Sequence, residues 1–140
     1  MVKILANDGI DASGKHLLEQ AGFVVDTSKI PQDQLAAGIL AGGYEVVLVR
    51  SATKITSEII DACQGIRMLG RAGVGMDNID IKHAESKGIK VFNTPAASSQ
   101  SVAELVMAHL FSGVRFLQDS NHRMRNEGTT AFNELKKHYS

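Results

Sequence analysis

Five short apolar runs, each separated from the next by a segment of helical spacing, leave this chain few ways to fold. The runs fall at residues 2–6, 23–27, 45–49, 68–72 and 89–92. The third contains Val46-Val47-Leu48-Val49, a continuous apolar stretch of the kind expected for a strand buried on both faces. Between the runs, helices are predicted at 12–21, from Pro31 through Leu40, at 57–63 and at 81–87. The first carries Leu17, Leu18 and Ala21 on one face and stops at Gly22. The second opens on a first-turn proline and stops at Gly42-Gly43.

Strict alternation at these spacings predicts an α/β fold with a parallel sheet and helices on both faces. With right-handed crossovers, five strands take the order 2-1-3-4-5, a flavodoxin-like doubly wound arrangement. The remainder reads differently. Ser101-Val-Ala-Glu104 has the spacing of a capping box, with Ser101 as cap and Glu104 reaching back. From there Val102, Leu105, Val106, His109, Leu110, Val114 and Leu117 keep helical spacing as far as Gln118. Beyond it the chain is polar, with a weak helical stretch at 132–138. The expected organisation is a core at 1–97, a long C-terminal helix within 98–125, and a polar tail at 126–140.

Bulk properties exclude several classes. The 140 residues make one domain able to bury a core unaided. Lys+Arg and Asp+Glu are both 15, so no nucleic acid or anionic membrane is expected as partner. No run approaches the roughly 18 apolar residues of a transmembrane helix. The first six residues read as a strand, too short for a signal-peptide core. A single cysteine, Cys63, excludes an internal disulfide and suits a reducing compartment, by default the cytoplasm.

In a sheet of this order ligands sit beyond the carboxyl ends of the strands. Those ends carry Asn7-Asp8-Gly9, Arg50-Ser51, residues 72–75 and Asn93-Thr94-Pro95. The turn Arg71-Ala-Gly-Val-Gly-Met-Asp-Asn78 joins a strand to a helix through two closely spaced glycines. It is either a cradle whose bared N–H groups accept a carboxylate or phosphate, or an ordinary turn shaped by glycine. Arg50 and Arg71, at adjacent strand ends, either grip an anion in bidentate fashion or are solvated surface arginines. Ser51 adds a hydroxyl donor and Asn93 an amide that can orient a polar group.

Other chemistries are not supported. The dinucleotide pattern G-x-G-x-x-G fails because Asn78 stands where the third glycine belongs, and no acidic residue follows near Pro95. The five histidines have no metal-ligand spacing, and His109 reads as a packed or interface residue. Asp8 would need a second carboxylate after the third strand to form a metal pocket, and Arg50 stands there instead.

Four ordered motifs carry a resemblance. Val49-Arg-Ser-Ala-Thr-Lys-Ile-Thr56, Gly70-Arg-Ala-Gly-Val-Gly-Met-Asp-Asn-Ile-Asp80, Gly88-Ile-Lys-Val-Phe-Asn-Thr-Pro95 and Ser101-Val-Ala-Glu-Leu105 are similar to those of the D-isomer-specific 2-hydroxyacid dehydrogenases. Among these the chain most resembles the phosphoglycerate-directed members that open serine biosynthesis. The resemblance runs from Met1 to about Lys137 and implies an NAD-dependent oxidoreductase. It implies that Gly73, Val74 and Gly75 present N–H groups to the carboxylate of a small 2-hydroxy acid. Arg50, Ser51 and Arg71 would help hold the substrate, including any phosphate. Val74 and Val102 match positions lining the nicotinamide end of NAD. Ser98 stands where the family often carries asparagine, and it is left out of the site.

The resemblance also implies what this sequence does not contain: a second domain with G-x-G-x-x-G and the catalytic arginine, glutamate and histidine. The chain is therefore expected to be a substrate-binding domain that binds but does not turn over, partnered by a nucleotide-binding domain. The alternative is a stand-alone flavodoxin-like module for binding or scaffolding. The apolar face from Val102 to Leu117 is expected either to fold back onto the sheet or to pair with a second chain as a homodimer.

Overall fold

The computed structural model describes residues 1–139. Its elements, in chain order, are β1 (Lys3–Ala6), α1 (Ala12–Gln20), β2 (Val24–Asp26), α2 (Leu35–Gly42), β3 (Val46–Val49), α3 (Ser57–Ala62), β4 (Met68–Arg71), α4 (Ile81–Ser86), β5 (Lys90–Asn93), α5 (Ser99–Val114) and α6 (Leu117–Tyr139). A short 3-10 turn, Gln32–Gln34, follows Pro31 and leads into α2. The five strands are all parallel, in the order 2-1-3-4-5 that the alternation predicts.

Local chemistry ends these elements where the sequence places its punctuation. Asp11 caps α1 by accepting from the Ser13 N–H at 2.9 Å. Gly43 closes α2 in the left-handed conformation, φ 64°. Asp80 caps α4 through the His83 N–H at 3.1 Å.

The main buried cluster lies on one face of the sheet. Leu5, Val47 and Leu69 are register partners on successive strands, and all three are fully buried. Leu35 and Ile39 of α2, with Ile59 and Ile60 of α3, join them in one cluster. Burying such a side chain contributes about 1.5–3 kcal/mol. On the opposite row, Ala6 and Gly70 are buried but Leu48 and Phe92 are more open. There Leu48 is only half-buried and Phe92 is 41% exposed. β3 is thus not buried on both faces as its apolar run suggests. Its inward residues are Val47 and Val49, while Val46 and Leu48 keep partial access to solvent.

The chain divides into a unit of Met1–Ala97 and a second unit beginning at Ser98. The second unit carries the expected long C-terminal helix, but its boundaries differ from expectation. The single helix predicted through Gln118 is two helices, broken at Arg115 and Phe116, with Phe116 in the left-handed region at φ 51°. The segment 126–139, expected as a polar tail, belongs to α6, which is interrupted at Ala131. The expected capping box is also absent. Ser98 occupies the cap position with no side-chain bond, and Ser101 and Glu104 lie inside the helix. Glu104 instead accepts from the Gln100 amide one turn back, at 2.9 Å. No residue of α5 is buried. Among the described residues no helix is long and apolar enough to cross a membrane.

Candidate functional site

The loops after β1, β2, β3, β4 and β5 gather at the carboxyl edge of the sheet, and two polar side chains fix the loop after β3 from opposite sides. Asp8, just past β1, accepts from the N–H groups of Arg50 at 2.7 Å and Thr53 at 3.1 Å, and from the Thr53 hydroxyl at 2.7 Å. Lys29, past β2, also pairs with Asp8. From the other side, the buried Asn78 amide donates to the carbonyls of Arg50 at 2.7 Å and Thr53 at 2.6 Å. A parallel bridge between Ile55 and Ile79 then ties this loop to the one after β4. Both peptide groups that flank Ser51 and Ala52 are therefore held, and the exposed Arg50 and Ser51 side chains project from a fixed backbone.

The Asp8 side chain is only 5% exposed. Burial alone would raise its pKa, but hydrogen bonds from Lys29, Thr53 and the two backbone N–H groups outweigh it, and the pKa falls to about 2. Asp8 is accordingly an ionised anchor. It is a structural brace for the loop rather than half of a metal pocket. Lys29, Arg50 and Ser51 line an open depression of about 430 Å³ beside it. Lys29 neutralises Asp8, whereas the Arg50 guanidinium pairs with no carboxylate among the described residues.

The glycine turn after β4 is arranged differently from a bare cradle. Neither Gly73 nor Gly75 has a positive φ, so conformational freedom is not what glycine supplies here. At Gly75 it supplies room: a Cβ would lie 2.9 Å from Arg71 Nη1 and 3.1 Å from Asp77 Oδ1. The Arg71 side chain lies inward, 14% exposed, and Nη1 donates to Asp77 at 2.9 Å. Gly73, expected to offer its N–H to a ligand, donates it to the Thr94 hydroxyl at 3.0 Å. The N–H groups of Val74 and Gly75 donate to no other described residue. Asn93 steadies them by donating to the Val74 carbonyl at 2.6 Å.

The strand register brings Arg71 between Val49 and Asn93. Arg50, Ser51, Arg71, Gly73, Val74, Gly75 and Asn93 therefore share one edge of the first unit. Val102 belongs to the second unit, on α5, and is 54% exposed. Sequence reasoning missed Lys29, Thr53, Asp77 and Asn78. Lys29 was findable, because the end of β2 meets the same edge as the ends of its neighbours.

The match to known proteins is specific. Residues 4–139 fit the family model of the D-isomer specific 2-hydroxyacid dehydrogenase catalytic domain. The chain belongs to this family. It is 39% identical over 116 residues to a hydroxypyruvate reductase of Thermotoga maritima, covering 82% of this chain and 37% of that protein. It is 41% identical over 115 residues to a D-3-phosphoglycerate dehydrogenase of Methanocaldococcus jannaschii, covering 82% of this chain and 22% of that one. Among solved structures it is similar to an NAD+-bound 3-phosphoglycerate dehydrogenase of Entamoeba histolytica, with a TM-score of 0.64 and 31% identity, over 81% of this chain and 39% of the other. As a 2-hydroxyacid dehydrogenase family member, the chain thus spans between about a fifth and two-fifths of the length of these relatives.

Proposed function

We propose that this chain supplies the substrate-holding edge of an NAD-dependent D-2-hydroxyacid dehydrogenase whose substrate is 3-phosphoglycerate, in the first step of serine biosynthesis. The observation that carries the reading is a pair of complementary features on adjacent strands. Among the described residues, Val74 and Gly75 offer two N–H groups with no acceptor, and Arg50 offers a guanidinium with no carboxylate partner. Backbone N–H groups suit a carboxylate, and an exposed guanidinium suits a phosphate. Ser51 and Lys29 supplement Arg50, and Arg71 adds a second guanidinium near the turn. Asn93 acts on the turn by holding the Val74 carbonyl rather than by touching the ligand. Gly73 serves as a brace through Thr94.

The glycine turn itself does not fit the pyrophosphate of a dinucleotide. The space beneath Gly75 is filled by the Arg71 guanidinium, the Gly73 N–H is taken, and no third glycine follows. In a protein that also supplies a nucleotide-binding domain, the chemistry a bound NAD would supply is hydride acceptance from C2 of the hydroxy acid, with the hydroxyl proton passing to a general base and the 2-oxo acid as product. The exposed Val74 would border its nicotinamide end. What these residues do is bind and orient the substrate. The chain alone is expected to form no NADH from 3-phosphoglycerate and NAD. A reducing, cytoplasmic setting suits a sole cysteine that is buried, its thiol pKa raised by that burial.

Thermal unfolding with and without 3-phosphoglycerate tests the reading. A modest rise in Tm is expected for the unaltered chain, with the rise lost in Arg50→Ala. Equal rises in both would remove Arg50 from the site.

A further inference from the structure

The Arg71 guanidinium is held by a partner that a ligand can replace. Nη1 donates to Asp77, six residues away in the same turn, at 2.9 Å. The two members of the pair differ sharply in exposure, with Arg71 at 14% and Asp77 at 86%. Nε is buried and has no acceptor among the described residues. A guanidinium that leaves one buried donor unmet is not in its best pairing, because an orphaned donor forfeits its hydration without return. Asp77 Oδ1 takes one N–H, whereas an incoming carboxylate or phosphate can take two in bidentate fashion. Freely hydrated Asp77 loses little on release, because exposed ion pairs are weak and screened.

We propose that Asp77 is a built-in competitor for Arg71 that sets how tightly, and how selectively, this edge takes an anion. In the ligand-free chain Asp77 occupies the guanidinium. A substrate anion displaces it, drawing Arg71 outward so that Nε and a terminal nitrogen donate together. Asp77 swings into water. A monodentate anion gains no Nε contact and competes poorly, so the exchange favours ligands with two oxygens on one planar or tetrahedral centre. The absence of a Cβ at Gly75 leaves the guanidinium the room to be stored beneath the turn.

This inference rests on the reading that the edge binds a small anion, and one titration separates the two. The 140-residue chain, its Asp77→Asn variant, and Arg71→Met with and without Asp77→Asn are titrated with 3-phosphoglycerate and followed by 15N NMR. Asp77→Asn is expected to tighten Kd about two- to fivefold, the range set by an exposed pair. That gain is expected to vanish in the Arg71→Met background, as a coupled pair requires. Unchanged or weaker binding by Asp77→Asn would overturn the competitor role while leaving the anion site standing. A gain that persists without Arg71 would overturn it as well, reducing the effect to general charge. Failure of every chain to titrate would remove the anion site and the competitor together. Should Arg71→Met fail to fold, the Arg71 Nε–H resonance in Asp77→Asn decides. It is expected to shift on ligand addition, and an unmoved resonance overturns the proposal.

Discussion

Asp8 is gripped twice by Thr53, through its backbone N–H at 3.1 Å and its hydroxyl at 2.7 Å, although the two lie 45 residues apart. The strand order makes this possible, because β1 and β3 are neighbours and their loops leave the sheet together. The Asp8 pKa falls from 3.8 to about 2 on folding, so the folded state prefers the ionised form. The stability from this group is present above pH 4 and is lost as pH falls towards 2, on the order of 2 kcal/mol in all. Urea unfolding between pH 5 and pH 2 should therefore show a steeper acid loss in the unaltered chain than in Asp8→Asn. Parallel curves would mean that Asp8 is not an ionised anchor.

Gly70 is small because its neighbours leave no space. A Cβ there would meet Phe92 Cζ at 2.5 Å and Leu48 Cδ2 at 2.8 Å. Gly70→Ala should cost about 1–3 kcal/mol through overpacking. Phe92→Leu in the same chain should recover much of that loss, since Phe92 is 41% exposed and can be trimmed. Denaturant midpoints of the single and double variants measure the recovery. A double variant no more stable than Gly70→Ala would place the strain elsewhere.

The α5 face carries Leu105 and Leu110 at 58% and 53% exposure. Replacing both with Lys should leave the unfolding midpoint of the first unit within about 0.5 kcal/mol, as for surface changes in general. If this face pairs with a second copy, the second of the two expected arrangements, light scattering should show a concentration-dependent dimer that the double variant abolishes. A large fall in the midpoint would show that the helix supports the core. A monomer at high micromolar concentration would exclude the dimer.

How far the sequence reveals this molecule depends on the range of the interaction concerned. Strand order follows from local alternation and chain-wide handedness rules, and both are readable from the residues in order. The strand-end placement of Arg50, Ser51 and Asn93 follows directly from it. Side-chain direction does not. Arg71 reads as a solvated or ligand-facing cation, yet it turns under its own glycine loop because Asp77 and a missing Cβ at Gly75 make room. The Ser101 and Glu104 spacing suits a cap, but the helix begins two residues earlier, at Ser99. The break at Phe116 was not legible either. Neither Arg115 nor Phe116 is a helix breaker, and the residue taking positive φ is the bulky Phe116 rather than a glycine.

The central claim is that one edge holds a carboxylate on the Val74 and Gly75 N–H groups and a phosphate on Arg50 and Ser51. Amide chemical shifts of the chain, titrated in parallel with 3-phosphoglycerate and with glycerol 3-phosphate, test it most directly. Both ligands should move Arg50 and Ser51, and only 3-phosphoglycerate, which has the carboxylate, should move Val74 and Gly75. Identical responses to the two ligands, or unmoved amides at Val74 and Gly75, would contradict the claim.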